Sequence, residues 1–221
     1  MENKLNLVRQ EAEKGNVVAQ YNYGKLLLSG KGVKKDEEAG KSYLKKASDK
    51  GFLKARYELA SIEYSSVYFD SSINEEERKK LIDEKFHKIL EIADAGLVEA
   101  QILVGDTYIL SDEVRFIDLG IKYFKMASDQ GSPIADFGMA IALEMKKYKD
   151  PTDSTTEYPL FYLVKSAEAG YLDAQQKLAI SLLLGTDFIK KNEKEAVRWL
   201  SIVADREKTN AQIKLAEIYY E

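Results

Sequence analysis

The sequence predicts an all-helical solenoid of repeated helix–turn–helix units, and three observations predict it. An alanine recurs at Ala19, Ala55, Ala100, Ala135, Ala174 and Ala211, at spacings of 36, 45, 35, 39 and 37 residues. Self-similarity at such a period marks a stacked array. Four residues after each alanine stands a large apolar side chain: Tyr23, Leu59, Val104, Met139, Leu178 and Leu215. The next residue is always small: Gly24, Ala60, Gly105, Ala140, Ala179 and Ala216. Two helices in close contact need this pairing, because the bulky side chain fills the gap where the neighbouring backbone comes near. Glycine costs a free helix about 1 kcal/mol against alanine, so Gly24 and Gly105 make sense where a second helix leans on them. Third, the second segment of each unit ends in glycine, at Gly51, Gly96, Gly131 and Gly170, and Gly15 closes a matching segment at the start. A left-handed residue that ends a helix is the usual reason.

The elements follow in order. Residues 1–15 hold an amphipathic segment, with Leu5, Val8 and Ala12 near one face. It has the phase of a second helix without its first, and it caps the open end, as terminal units of solenoids must. The repeats are then 16–51, 52–96, 97–131, 132–170 and 171–208, and a lone first-type helix over 209–221 caps the other end, all in one repeat domain. Twelve helices are expected by this reading. In the first repeat, Asp36 caps the second helix. In the second, Ser65 to Ser72 reads as a polar insertion that stretches the period, with Tyr68 and Phe69 side by side inside it. Asn74 with Glu77 then reads as a capping box, with acids in the first helical turn. The third repeat turns at Ser111-Asp112-Glu113. The fourth opens on Ser132-Pro133, an N-cap followed by proline at the first helical position. Its connection, Lys149 to Thr156, is long and polar and reads as a second loop. In the fifth, Asn192 and Glu195 form another capping box before Trp199.

These residues resemble a family. Ala19, Gly24, Gly30, Gly32, Val33, Asp36, Lys46, Ala47 and Gly51 stand where the Sel-one-like repeat, a relative of the tetratricopeptide repeat, has its signature. The fifth repeat matches next best, through Ala174, Leu178, Leu182, Gly185, Lys194, Ala196, Trp199 and Ala204. Trp199 occupies the aromatic position of the second helix, which Tyr43, Tyr123 and Tyr162 fill elsewhere. The second and fourth repeats depart from the pattern in their middle turns. The resemblance covers nearly the whole chain and implies a right-handed α-solenoid whose first helices line a concave side.

Composition narrows the function. The chain has 221 residues, 45% of them apolar, enough for a continuous core. Charged residues make up 32% yet balance to −4. That balance speaks against nucleic-acid and anionic-membrane partners, which call for a net basic face. There is no cysteine, which excludes disulfides and thiolate metal sites. The N-terminal residues lack an apolar run of signal-peptide length, and no run reaches the roughly 18 apolar residues of a membrane span. A cytoplasmic protein is expected.

Chemistry finds little purchase. The single histidine, His87, lies between Lys85-Phe86 and Lys88 and reads as a surface residue. Gly30-Lys31-Gly32 lacks the third glycine and preceding strand of a nucleotide fingerprint and reads as the repeat turn. Glu75-Glu76-Glu77 is a charged helical turn, not a pair of acids held across a cleft. No catalytic, metal-binding or cofactor-binding residues are assigned, and no cofactor is expected.

Binding remains. Counting two, six and nine residues from each phase alanine gives the positions that the resemblance places on the concave side. Among them, Tyr21, Lys25, Tyr57, Tyr64, Ile102, Asp106, Phe137, Glu144, Ile180 and Glu217 form the expected partner-binding strip, apolar and tyrosine-rich, with acids toward the C-terminal half. Tyr68 and Phe69 in the insertion are the alternative, as a recognition loop. Aromatic anchors of this kind suit a protein partner, and the acids suit a basic one. The function expected is a non-enzymatic protein-binding module. Within that class the resemblance favours a bacterial adaptor, or an immunity-type inhibitor of a basic toxin or effector. The alternatives are a general scaffold for signalling or stress components and, from another class, an enzyme with an unrecognised carboxylate site.

Overall fold

The computed structural model describes residues 2–110, 113–152 and 158–206. Eleven α-helices and no strand occupy these residues: α1 (Glu2–Glu13), α2 (Val17–Ser29), α3 (Glu37–Asp49), α4 (Leu53–Phe69), α5 (Glu75–Asp94), α6 (Val98–Ile109), α7 (Val114–Asp129), α8 (Pro133–Lys149), α9 (Pro159–Glu168), α10 (Leu172–Leu184) and α11 (Glu193–Arg206). The twelfth helix expected over 209–221 lies outside the described residues, as do the Ser111-Asp112 turn and residues 153–157 of the second loop. The chain divides into two compact units, residues 1–100 and 101–221. In the first, α1 packs on α2, α2 on α3, α3 on α4 and α4 on α5. In the second, α7 packs on α8, α8 on α9, α9 on α10 and α10 on α11. Each of these helices thus buries its apolar face against its neighbours within the unit, as a repeat array requires.

The helix ends are where local chemistry puts them. Asp36 Oδ1 accepts from the Ala39 amide at 2.9 Å, Asn74 Oδ1 from Glu77 at 2.9 Å, Ser132 Oγ from Ala135 at 3.3 Å and Asn192 Oδ1 from Glu195 at 3.2 Å. Each satisfies an amide that the helix leaves without a partner. At Gly51, φ is +83°; its amide donates to Ser48 O at 2.8 Å and that of Phe52 to Ala47 O at 3.1 Å. This double bond is the Schellman arrangement, and it closes α3.

The insertion in the second repeat is smaller than expected. Ser65 to Phe69 are helical, and α4 breaks only at Asp70. Tyr68 and Phe69 therefore stand on the last turn of a helix and not in a loop. Serine is not a strong helix breaker, and Val67, buried at 7% exposure, carries the apolar stripe of α4 past the serine pair. Asp70 then stops the chain by accepting from the Ser72 amide at 2.9 Å, while the Arg78 guanidinium donates to Asp70 O at 2.7 Å.

The small residues mark the closest approaches. Gly24, Ala60, Gly105, Ala140 and Ala179 are all buried. Of the large residues before them, Tyr23, Val104, Met139 and Leu178 are buried, whereas Leu59 is half-exposed. A methyl group added to Gly24 would stand 2.9 Å from the Gly40 carbonyl oxygen of α3. One added to Gly105 would stand 2.7 Å from the ring of Phe124 on α7. Buried amides add a second tie. Gln20 Nε2 donates to Ala12 O at 3.2 Å and Gln175 Nε2 to Ala167 O at 2.9 Å, so each joins a first helix to the end of the helix before it. In the fourth repeat an acid replaces that glutamine. Asp136, only 2% exposed, accepts from Ser128 Oγ at 2.5 Å and from Lys165 Nζ at 2.7 Å.

Overpacking a filled core costs roughly 1–3 kcal/mol. Gly24→Leu and Gly105→Leu should each lower the urea midpoint by an amount of this order, while a change at exposed Lys122 should not. A Gly105→Leu variant that unfolds with the parent would contradict the close approach at Phe124.

Candidate functional site

The strip residues of the first unit lie on α2 and α4. Tyr21 meets Phe52 edge-on with ring centroids 5.2 Å apart, and its hydroxyl donates to Glu58 Oε1 at 3.3 Å. Lys25 pairs with the same carboxylate, and that bond holds its ammonium pKa above the ordinary value. Tyr57 is half-buried. Tyr64 is half-buried too; its ring lies 6.2 Å from those of Tyr68 and Phe86, and burial pushes its phenol pKa up. Tyr68 and Phe69 are far more open, Phe69 at 85% exposure. The first-unit face is therefore a set of half-buried aromatics, Tyr21 edge-on to Phe52 and Tyr64 tilted against Tyr68 and Phe86, beside an ion pair that neutralises Lys25.

In the second unit the strip residues come from three helices. Ile102 and Asp106 lie on α6, Phe137 and Glu144 on α8, and Ile180 on α10. Phe137 meets Tyr171 edge-on at 5.4 Å. The Tyr171 hydroxyl donates to Asp173 Oδ2 at 2.8 Å. Burial, that bond and the nearby Asp106 charge push its pKa up to about 12. Asp106 is exposed, yet the protein atoms crowding one side of its carboxyl desolvate it enough to hold its pKa above the usual range. Glu144 is paired with Lys177 at 2.8 Å, so the expected row of free acids reduces here to Asp106. Ile180 is 46% exposed. Glu217 lies outside the described residues.

Among the described residues no group of three or more histidines, cysteines or acids could hold a metal ion. His87 is exposed, with Nδ1 2.8 Å from Asp83 O. The Gly30 to Val33 turn is closed by the Asp36 amide donating to Leu27 O at 2.9 Å. No helix among the described residues is long and apolar enough to cross a membrane. Sequence reasoning passed over Tyr158 and Phe161 near the start of α9, both widely exposed. The available signal was Phe161 beside Tyr162, one aromatic more than the buried stripe of α9 can use.

A family model for the Sel1 repeat matches residues 17–52, 98–132 and 172–206. The chain belongs to the Sel1 repeat family. The second and fourth repeats, whose middle turns depart from the pattern, fall outside the three matched segments. Sel1 repeats are generally non-enzymatic protein-binding modules. Solved Sel1 structures share the fold. A Sel1 repeat protein from Oxalobacter formigenes is 19% identical, with 92% of this chain and 78% of that one covered and a TM-score of 0.69. A protective antigen of uropathogenic Escherichia coli is 24% identical over 98% of this chain, with a TM-score of 0.65; the match spans 44% of the antigen. A Sel1 repeat protein from Klebsiella pneumoniae is 16% identical, covered at 97% and 99%, with a TM-score of 0.53. The comparison with curated proteins found no match.

Asp106 offers a check on the second-unit face. Its folded pKa is raised, so between the unfolded and folded values the native state binds more protons, and stability falls as pH rises through that window. Asp106→Asn should therefore raise the melting temperature at neutral pH. The gain should vanish below the ordinary carboxylate pKa of about 3.9. A lower melting temperature at neutral pH would show that the carboxylate is stabilised where it sits.

Proposed function

We propose that this Sel1 repeat chain binds one protein partner through the first-helix faces of its repeats. It would act as a non-enzymatic adaptor or immunity-type inhibitor in the bacterial cytoplasm. One observation carries the reading: aromatic side chains recur at one phase, half-buried and held edge-on by their neighbours, as at Tyr21 with Phe52 and Phe137 with Tyr171. Side chains fixed before the partner arrives lose little entropy on binding. Aromatics in partly desolvated positions are the usual hot spots of an interface. Asp106 supports a basic partner, because an exposed, partly desolvated carboxylate with no cation among the described residues gains from one supplied by the partner. A bacterial setting fits the Oxalobacter, Escherichia and Klebsiella proteins that share the fold. The reading as a scaffold draws on the two units, each with its own aromatic face.

Capture from native lysate separates these readings: one stoichiometric partner favours an adaptor or inhibitor, and several weak ones favour a scaffold. With a captured partner in hand, two double variants are compared after both are shown to fold. Tyr57→Ala with Phe137→Ala should weaken binding by about 2 kcal/mol or more. Tyr68→Ala with Phe69→Ala should leave it near the parent value. The reverse result would move recognition to the end of α4.

A further inference from the structure

A second surface, on the second helices of the second unit, has the makings of a peptide site. Residues Tyr158, Phe161, Val164 and Glu168 stand at helical spacing along α9, and Phe188 faces them from the turn before α11. Together they bound a cleft of about 710 Å³. Tyr158 is 72% exposed and Phe161 64%, although the adjoining Tyr162 and Leu163 are buried. Phe161 is not loose: its ring packs edge-on against Tyr162 at 5.1 Å. Contiguous exposed apolar surface of this kind differs from the single exposed residues scattered over most proteins.

The charges around the cleft are one-sided. Lys165 lines it, but its ammonium is committed to Asp136 at 2.7 Å and Ser128 at 3.1 Å. Asp136 is buried, so that tie cannot be exchanged for solvent without leaving a carboxylate unpaired. Glu168 and Asp187 also line the cleft, and among the described residues neither has an ion pair. Lys190 and Lys191 share the turn with Asp187 without lining the cleft. Glu168 stands in the last turn of α9, where the helix carbonyls add negative potential. The apolar stripe thus ends in two acids that no cation pairs among the described residues. The lining from Tyr158 to Glu168 runs for about three turns of helix, roughly 15 Å, which matches a peptide segment better than a compact small molecule.

We infer that this cleft docks a segment of a protein partner in which a bulky apolar side chain is flanked by lysine or arginine. The apolar side chain lies against Phe161 and Phe188, and the cation meets Glu168 and Asp187. The site goes beyond the first-helix faces and rests only on the chain being a protein-binding module.

The test is selection of short random peptides displayed on phage against the immobilised full chain, followed by affinity measurement on the peptides recovered. Enriched peptides should combine a large apolar residue with neighbouring Lys or Arg. Phe161→Ala, an exposed position whose truncation leaves the core intact, should weaken them about tenfold or more. The pair Glu168→Gln and Asp187→Asn should weaken them several-fold and flatten their salt dependence. Acidic enriched peptides, or peptides that bind Phe161→Ala as well as the parent, would overturn the inference. Peptides lost on Tyr57→Ala with Phe137→Ala but kept on Phe161→Ala would remove the cleft and leave the binding module standing. No enrichment at all would count against both.

Discussion

The ring of Phe124 sits where two glycines let it sit. It is fully buried, and a single methyl group on Gly105 would come within 2.7 Å of it. Gly138 faces the same ring from α8. An aromatic on α7 thus fills space left by glycines on the helices to either side. In the first unit the close contact is made by backbone. A methyl on Gly24 would lie 2.9 Å from the Gly40 carbonyl, and one on Gly40 would lie 3.0 Å from the Gly24 carbonyl. Interiors packed this densely transmit small changes instead of absorbing them. The distance between helices in a pair sets where the next pair stacks, and so which side chains of the first helices reach the surface.

Half of this contact is readable from one strand of the pattern. The large-then-small doublet keeps its phase because every first helix meets the same demand, and repetition makes the demand visible. Of the answering residues, Gly40 and Gly120 share a phase, three before Tyr43 and Tyr123 on a second helix, whereas Gly138 stands alone on a first helix; what each one meets is known only once the helices are placed. The caps at Asp36, Asn74, Ser132 and Asn192 were legible because capping acts over three residues. The end of α4 was not. Two serines and an aspartate look like a break, yet burial of Val67 decides the matter, and burial is a tertiary property. The buried Gln20 and Gln175 were equally silent, since an amide that reaches a carbonyl eight residues away leaves no composition signal.

The same division runs through the candidate surfaces. The aromatics at Tyr21, Tyr57 and Phe137 could be placed on one face by counting. The state of the charges could not. Glu144 reads as a free acid but is paired with Lys177 of the following repeat, and Lys25 reads as a free base but is paired with Glu58. Ion pairs between repeats depend on which residues the stack brings opposite each other, and most such exposed pairs contribute little. What they leave unpaired among the described residues is the informative part: Asp106 on one face, Glu168 and Asp187 on another.

The central claim is that size complementarity between Phe124 and its flanking glycines holds the second unit together. A double-mutant cycle on Gly138→Ala and Phe124→Leu tests it most directly, with unfolding free energies from urea titration. Each single change should destabilise, the first by crowding the ring and the second by leaving a void. The double variant should be more stable than the sum of the two by at least about 0.5 kcal/mol, because residues in contact couple and distant ones do not. Additive losses would show that the ring and the glycine do not compete for the same space, and would contradict the account.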